Sequence, residues 1–205
     1  MERIEAVVFD WGGVLIDDPA PELMRYCAQA VGVGVKDYTR AHNKHGEPFQ
    51  KGQVPEAVFW QRLCAELNRP VPRAASLWSE ALHAIHAPRE AVFRLVGRLR
   101  DAGFKTAILS NTEAPAIELS HEPRYRVFDA VVLSCTVATT KPEPEIYEIT
   151  AAKLRTAPQR CVFIDDRQPF VDGAVAIGMK GVLYRTLEQV EKELENLGVP
   201  ARQER

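Results

Sequence analysis

No run of five or six like charges occurs in the 205 residues, and 26 Lys and Arg against 28 Asp and Glu leave a formal net charge of -2. Nucleic acid and anionic lipid both demand a concentrated basic face, so neither is an expected partner, and any anionic ligand must be held locally. Cysteine is sparse and scattered. Cys27, Cys64, Cys135 and Cys161 include no C-x-x-C pair, which points away from a zinc site and a disulfide framework and toward four reduced core residues. No apolar run approaches the ~20 residues of a membrane span. The opening MERIEAVVFD carries charges where a secretory leader needs an apolar stretch, so a cytoplasmic chain outside any membrane is expected. Internal repeats, low-complexity tracts and long linkers are also missing, so a main domain and a subdomain inserted in it should be in close contact.

What is present is 46% hydrophobic and long enough to bury a sizeable core, as one domain plus an insertion. Short β-branched runs at 7–10 (VVFD), 105–110 (KTAILS), 130–134 (AVVLS), 160–165 (RCVFID) and 180–184 (KGVLY) have strand length and nearly continuous apolar character, as strands buried on both faces do. Helix-length segments at 88–104, 143–154, 168–179 and 187–198 alternate with them. In the first, Val92, Leu95, Val96 and Leu99 form one apolar stripe and Gly103 stands at the C-terminal cap. Alternation of this kind predicts an α/β fold, a doubly wound, mostly parallel, Rossmann-like sheet covered by helices. Residues 17–87 break the rhythm and read as helices only, punctuated by Pro55 and Pro70. The expected organisation is a core of 1–16 and 88–205 with a helical subdomain, 17–87, inserted after the first strand.

In such a sheet ligands bind at the carboxyl ends of the strands. Four polar clusters fall there: Asp10, Ser110-Asn111-Thr112, the TTKPEPEIY stretch containing Lys141, and Asp165-Asp166. A nucleophilic or metal-binding acid, a hydroxyl-amide pair, a lysine and a diacid together suit an anion and a divalent cation. Carboxylates from separate loops match the hard oxygen ligands of Mg²⁺, while Lys141 and the Ser110 hydroxyl balance a phosphate's charge.

The combination FDWGGVL, LSNT, KPEPEIY and FIDDRQPFVDGAVAIGM, in that order and spacing, resembles the haloacid dehalogenase (HAD) superfamily, in particular its phosphatase branch with a small helical cap after the first strand. The resemblance implies a phosphatase acting on a small phosphorylated metabolite such as a sugar phosphate. Asp10 becomes the nucleophile that forms an aspartyl-phosphate, and Ser110 and Lys141 the phosphate-holding residues, with Asn111 orienting the pocket. Mg²⁺ is implied on Asp10, the Gly12 carbonyl, Asp165 and Asp166. A carboxylate is already ionised at neutral pH and needs no base to activate it. The departure is Gly12, where most phosphatases of the family carry a second Asp that protonates the leaving oxygen and later activates water. General acid-base catalysis, worth about 10²–10⁴ in rate, is what this removes.

Two alternatives stand beside the phosphatase. A 2-haloacid dehalogenase would use the same Asp10 without a metal and without the 165–166 diacid, and a weakly active or non-enzymatic phosphate-binding relative would account for Gly12. Asp17 and Asp18 either open a turn and start a helix or supply a substitute acid, with Asp17 the first suspect. His42, His45, His83 and His86 match no metal-ligand spacing and are expected at the surface or a pocket rim. Phe59, Trp60 and Trp78 are expected in the core of the inserted helices, and Glu47, Phe49 and Lys51 are candidate substrate-facing residues. No local pattern encodes the oligomeric state.

Overall fold

Ala6–Phe9, four buried apolar residues, form the central strand β1 of a five-stranded, wholly parallel sheet in a computed structural model that describes residues 2–201. Met1 and residues 202–205, assigned by the sequence to the core, lie outside them. The remaining strands are β2 (Lys105–Ser110), β3 (Ala130–Leu133), β4 (Cys161–Asp165) and β5 (Lys180–Leu183), in the spatial order β3-β2-β1-β4-β5. Register pairs Ala6 with Lys105 and Cys161, and Phe9 with Ile108 and Ile164.

Side chains alternate across the pleat, so each strand feeds two separate apolar layers. Val7, Phe9, Ile108, Val162 and Ile164 face a layer shared with α5 (Glu90–Asp101) and α10 (Leu187–Asn196). Ala6, Val8, Leu109 and Phe163 face the other, against α8 (Pro144–Lys153) and α9 (Gln168–Ala176). This is the expected doubly wound α/β architecture. Two short helices were not foreseen. α6 (Ile117–Ser120) and α7 (Ser134–Val137) have four residues each, too few to show a helical period.

Residues between β1 and α5 hold α1 (Ala20–Val31), α2 (Val35–Gln50), α3 (Glu56–Glu66) and α4 (Leu77–Ile85). Leu23, Cys27, Ala28 and Val31 give α1 its buried stripe, and α1 packs on α2 and α4. The centre of this bundle is aromatic: Phe49 stacks on Phe59 at 4.7 Å, and Trp78 meets Phe59 edge-on at 5.7 Å. The chain leaves and re-enters the sheet layer through paired backbone, with Asp17 N–H donating to Ala87 O and Arg89 N–H to Leu15 O. The end of α2 is tied down as well, because Ser134 Oγ donates to the Gln50 carbonyl at 2.7 Å and Lys51 pairs with Glu143. No helix among the described residues is long and apolar enough to cross a membrane.

Candidate active site

The winding reverses beside β1, which opens a crevice at the carboxyl ends of β1 and β4. Asp10 directly follows β1, Ser110 ends β2 and Asp165 ends β4. Lys141 reaches the crevice from the loop before α8. Its ammonium lies 2.8 Å from Asp10 Oδ1 and 2.6 Å from Asp165 Oδ2, and the residue is only 3% exposed. Asn111 holds that loop by a reciprocal pair: Lys141 N–H donates to Asn111 Oδ1 at 2.7 Å, and Asn111 Nδ2 donates to the Lys141 carbonyl at 2.9 Å. Asp10, Asn111, Lys141 and Asp165 thus share one bonded network, and Ser110, Gly12 and Asp166 line the same cavity.

Backbone aims the acids. Trp11 N–H donates to Asp10 Oδ1 at 2.7 Å, and Arg167 N–H to Asp165 Oδ1 at 2.8 Å. Gly13, with φ of +82°, lets Asp166 approach, since a Cβ there would sit 2.3 Å from Asp166 Oδ2. Gly12 has no positive φ. Its restriction is spatial, a Cβ meeting Pro19 Cδ at 2.9 Å.

Carboxylate oxygens of Asp10, Asp165 and Asp166 lie within 4.8 Å of one another. Burial pushes the Asp10 carboxyl well above the ordinary range, with the charge of Asp165 adding to it and Lys141 opposing it. Burial, then the charges of Asp165 and Asp18, raise Asp166 too. With all three ionised, one ammonium leaves two negative charges uncompensated among oxygen donors. That charge and that donor set fit Mg²⁺.

Glu113 escaped the sequence reading, although it lies just three residues past Ser110. It is 6% exposed, lines the cavity, and accepts from Trp78 Nε1 at 3.1 Å and Gln50 Nε2 at 3.3 Å. Burial pushes its carboxyl up to about 7. The folded protein therefore holds this proton more tightly than the unfolded chain, so the contribution of Glu113 to stability is present below about pH 4.5 and is lost as pH rises toward 7. At about 1.4 kcal/mol per pH unit the loss totals about 3 kcal/mol. Glu113→Gln keeps one acceptor oxygen for the two donors and does not titrate, so its unfolding free energy relative to wild type is expected to rise between pH 5 and pH 8. Parallel pH profiles from denaturant melts would show that Glu113 is ionised freely in the fold.

The cavity, about 700 Å³, is closed on its far side by Leu23 and Met24 of α1, His42 and Gln50 of α2, and Trp78, Leu82 and Ile85 of α4. The candidates Glu47, Phe49 and Lys51 are not in its wall. Phe49 is fully buried in the aromatic centre and Lys51 is engaged by Glu47 and Glu143, because α2 turns the other side of its last turns to the cavity. Phe59 and Trp60 are core residues as expected, while Trp78 serves the core and the cavity wall together. Of the histidines, His42 and His86 line the cavity, His45 pairs with Glu66, and His83 bonds the Ser79 carbonyl. Asp17 is exposed and held by Arg89 Nε at 2.8 Å. Asp18 lines the cavity and accepts from Ala20 N–H at 3.0 Å, the helix-start role.

Residues 4–178 match the family model described as haloacid dehalogenase-like hydrolase. The chain is 29% identical over 213 residues to acyl-CoA dehydrogenase family member 10 of Mus musculus, a match covering 95% of this chain and 20% of that protein. It is 25% identical over 182 residues to a sesquiterpene phosphatase of Aspergillus oryzae, covering 87% and 88%. To the phosphorylated carbohydrates phosphatase of Thermotoga maritima it is 26% identical over 193 residues, covering 87% and 84%. It therefore spans about a fifth of the mouse relative and most of the other two. Among solved structures, a HAD-like family hydrolase of Porphyromonas gingivalis superposes with a TM-score of 0.77 at 23% identity over 99% of this chain and all of that one. A HAD family enzyme of Bacteroides thetaiotaomicron in its magnesium complex gives 0.73 at 20% identity over 90% and 94%. These likenesses show the fold, and the family match over most of its length shows that the chain belongs to the haloacid dehalogenase-like hydrolases.

Proposed function

We propose that this hydrolase is a Mg²⁺-dependent phosphatase of small phosphomonoesters working through an aspartyl-phosphate on Asp10. The observation that carries it is the Lys141 ammonium seated between Asp10 and Asp165, with Asp166 beside them. A carboxylate oxygen of Asp10 attacks phosphorus as the ester oxygen leaves, and water then cleaves the acyl phosphate, returning the carboxylate and free phosphate. Lys141 and Ser110 hold phosphate oxygens, and Asn111 keeps Lys141 in place. Asp10, the Gly12 carbonyl, Asp165 and Asp166 would hold Mg²⁺, which when bound neutralises charge on the phosphate and orients it. With glycine at position 12, the leaving oxygen departs without a carboxyl donor from that position.

Helices α1 to α4, entered at residue 17 and left at 87, act as a cap over this site. The substrate is a small phosphorylated metabolite met in the cytoplasm, a reading supported by four free thiols. The magnesium held by the Bacteroides enzyme supports the metal, and two relatives named as phosphatases support the reaction. A sugar phosphate, the class inferred from the sequence, has the Thermotoga relative in its favour. A dehalogenase has no use for the third carboxylate.

The test is hydrolysis of 4-nitrophenyl phosphate with and without Mg²⁺. Turnover is expected only with the cation, and Asp165→Ala is expected to raise the half-maximal Mg²⁺ concentration at least about tenfold, because a small hard cation loses one of few protein oxygens. Equal rates in chelator would sink the metal assignment, and an unaltered Mg²⁺ requirement in the variant would remove Asp165 from it.

A further inference from the structure

The wall that α1 and α4 present to the cavity is hydrocarbon: Leu23, Met24, Leu82 and Ile85, faced by Leu119 from the core. Three of the polar side chains near it bond to protein partners. Gln50 and Trp78 both donate to Glu113, and His86 Nε2 bonds Tyr125 Oη at 2.8 Å. His42 stacks on Trp78 with 5.4 Å between ring centroids, and its Nε2 is the one polar atom of that wall recorded as buried without a partner among the described residues. No lysine or arginine lining the cavity comes from α1 to α4.

A polyhydroxylated leaving group would have to bring several hydroxyls, stripped of water, against these five side chains, none of which offers a strong hydrogen bond. Each buried hydroxyl left unpaired lowers affinity about tenfold. A hydrocarbon pays no such penalty and gains about fourfold per methylene buried. We propose that the substrate is the phosphate monoester of an apolar alcohol, its phosphate at Asp10 and Lys141 and its hydrocarbon against Leu23, Met24, Leu82, Ile85 and Leu119. The proposal rests on the phosphatase reading and adds to it the class of alcohol. It replaces the sugar phosphate inferred from the sequence, since the cavity wall and not the strand-end motifs meets the leaving group.

The experiment measures kcat/KM at saturating Mg²⁺ for butyl, hexyl and octyl phosphate and for glucose 6-phosphate, with 4-nitrophenyl phosphate alongside. These alkyl esters leave as alkoxides of similar basicity, so chain length is the variable. The expected result is a rise of two- to fourfold per methylene, with octyl phosphate exceeding glucose 6-phosphate by at least about tenfold. Ile85→Gln, at the half-buried end of α4 where a polar side chain is readily accommodated, is expected to flatten the chain-length series. Should that variant not fold, competition of the wild-type enzyme by butyl and octyl phosphonate reads the same preference, octyl being the stronger inhibitor. A flat series, or preference for glucose 6-phosphate while 4-nitrophenyl phosphate is turned over, overturns the apolar class and leaves the phosphatase intact. No turnover of any ester, the aryl one included, overturns both.

Discussion

Asp10→Asn is expected to lower kcat/KM by more than a hundredfold while leaving the protein at least as stable as wild type in metal-free buffer. The loss follows from chemistry, because an amide oxygen is too poor a nucleophile to open a phosphomonoester. The stability follows from the site. The carboxylate of Asp10 is buried near that of Asp165, and burial already drives it toward its protonated form. A neutral isostere relieves that strain while still accepting the Trp11 N–H bond. Steady-state kinetics, with the variant checked for deamidation, and a thermal melt measure both halves. If the variant retained more than about a hundredth of the wild-type value, a deficit under roughly 2.7 kcal/mol, the covalent route through Asp10 would be wrong.

Lys141→Met should be more damaging still, because it removes activity and stability together. The ammonium bonds both Asp10 and Asp165 inside the fold, so methionine leaves two buried carboxylates facing each other with no cation between them. Breaking a buried pair by removing one partner costs about 3–5 kcal/mol. The phosphate's charge also loses its ammonium, and kcat/KM is expected to fall about a thousandfold, in line with the loss of a transition-state charge stabiliser. Mg²⁺ should restore part of the lost stability in a melt, since it meets the same carboxylates, but little of the rate. Near-wild-type turnover by a well-folded Lys141→Met would show that Lys141 only fastens the loop, a duty its backbone bonds to Asn111 already perform.

The strands and the long helices were legible because burial on both faces leaves a continuous β-branched run, as in AVVF, and burial on one side leaves a spaced stripe, as in Val92, Leu95, Val96 and Leu99. Four-residue helices such as α6 and α7 leave no such trace. The strand-end places of Asp10, Ser110 and Asp165 were legible for a related reason, whereas Lys141 lies on the loop before α8. In a parallel sheet the strand ends are the address of the site, so a polar residue that stops an apolar run announces its own position.

The inserted helices carry no such address. Glu47, Phe49 and Lys51 stood out as a polar and aromatic cluster, yet which side of α2 meets the cavity is decided by Phe49 packing on Phe59 and by Lys51 reaching Glu143 in another part of the chain. Glu113 reads as an ordinary loop acid until Trp78 and Gln50, brought from 35 and 63 residues away, enclose it. By itself the sequence determined the doubly wound sheet, the run of helices after its first strand and the acids at the strand ends, because local burial patterns write those features into neighbouring residues. Only the tertiary structure decided that Lys141 sits between two of the acids, that Gly13 carries a positive φ, and that Leu23, Met24, Leu82 and Ile85 meet in one wall of the cavity, because each depends on contacts between segments that local patterns in the sequence cannot bring together.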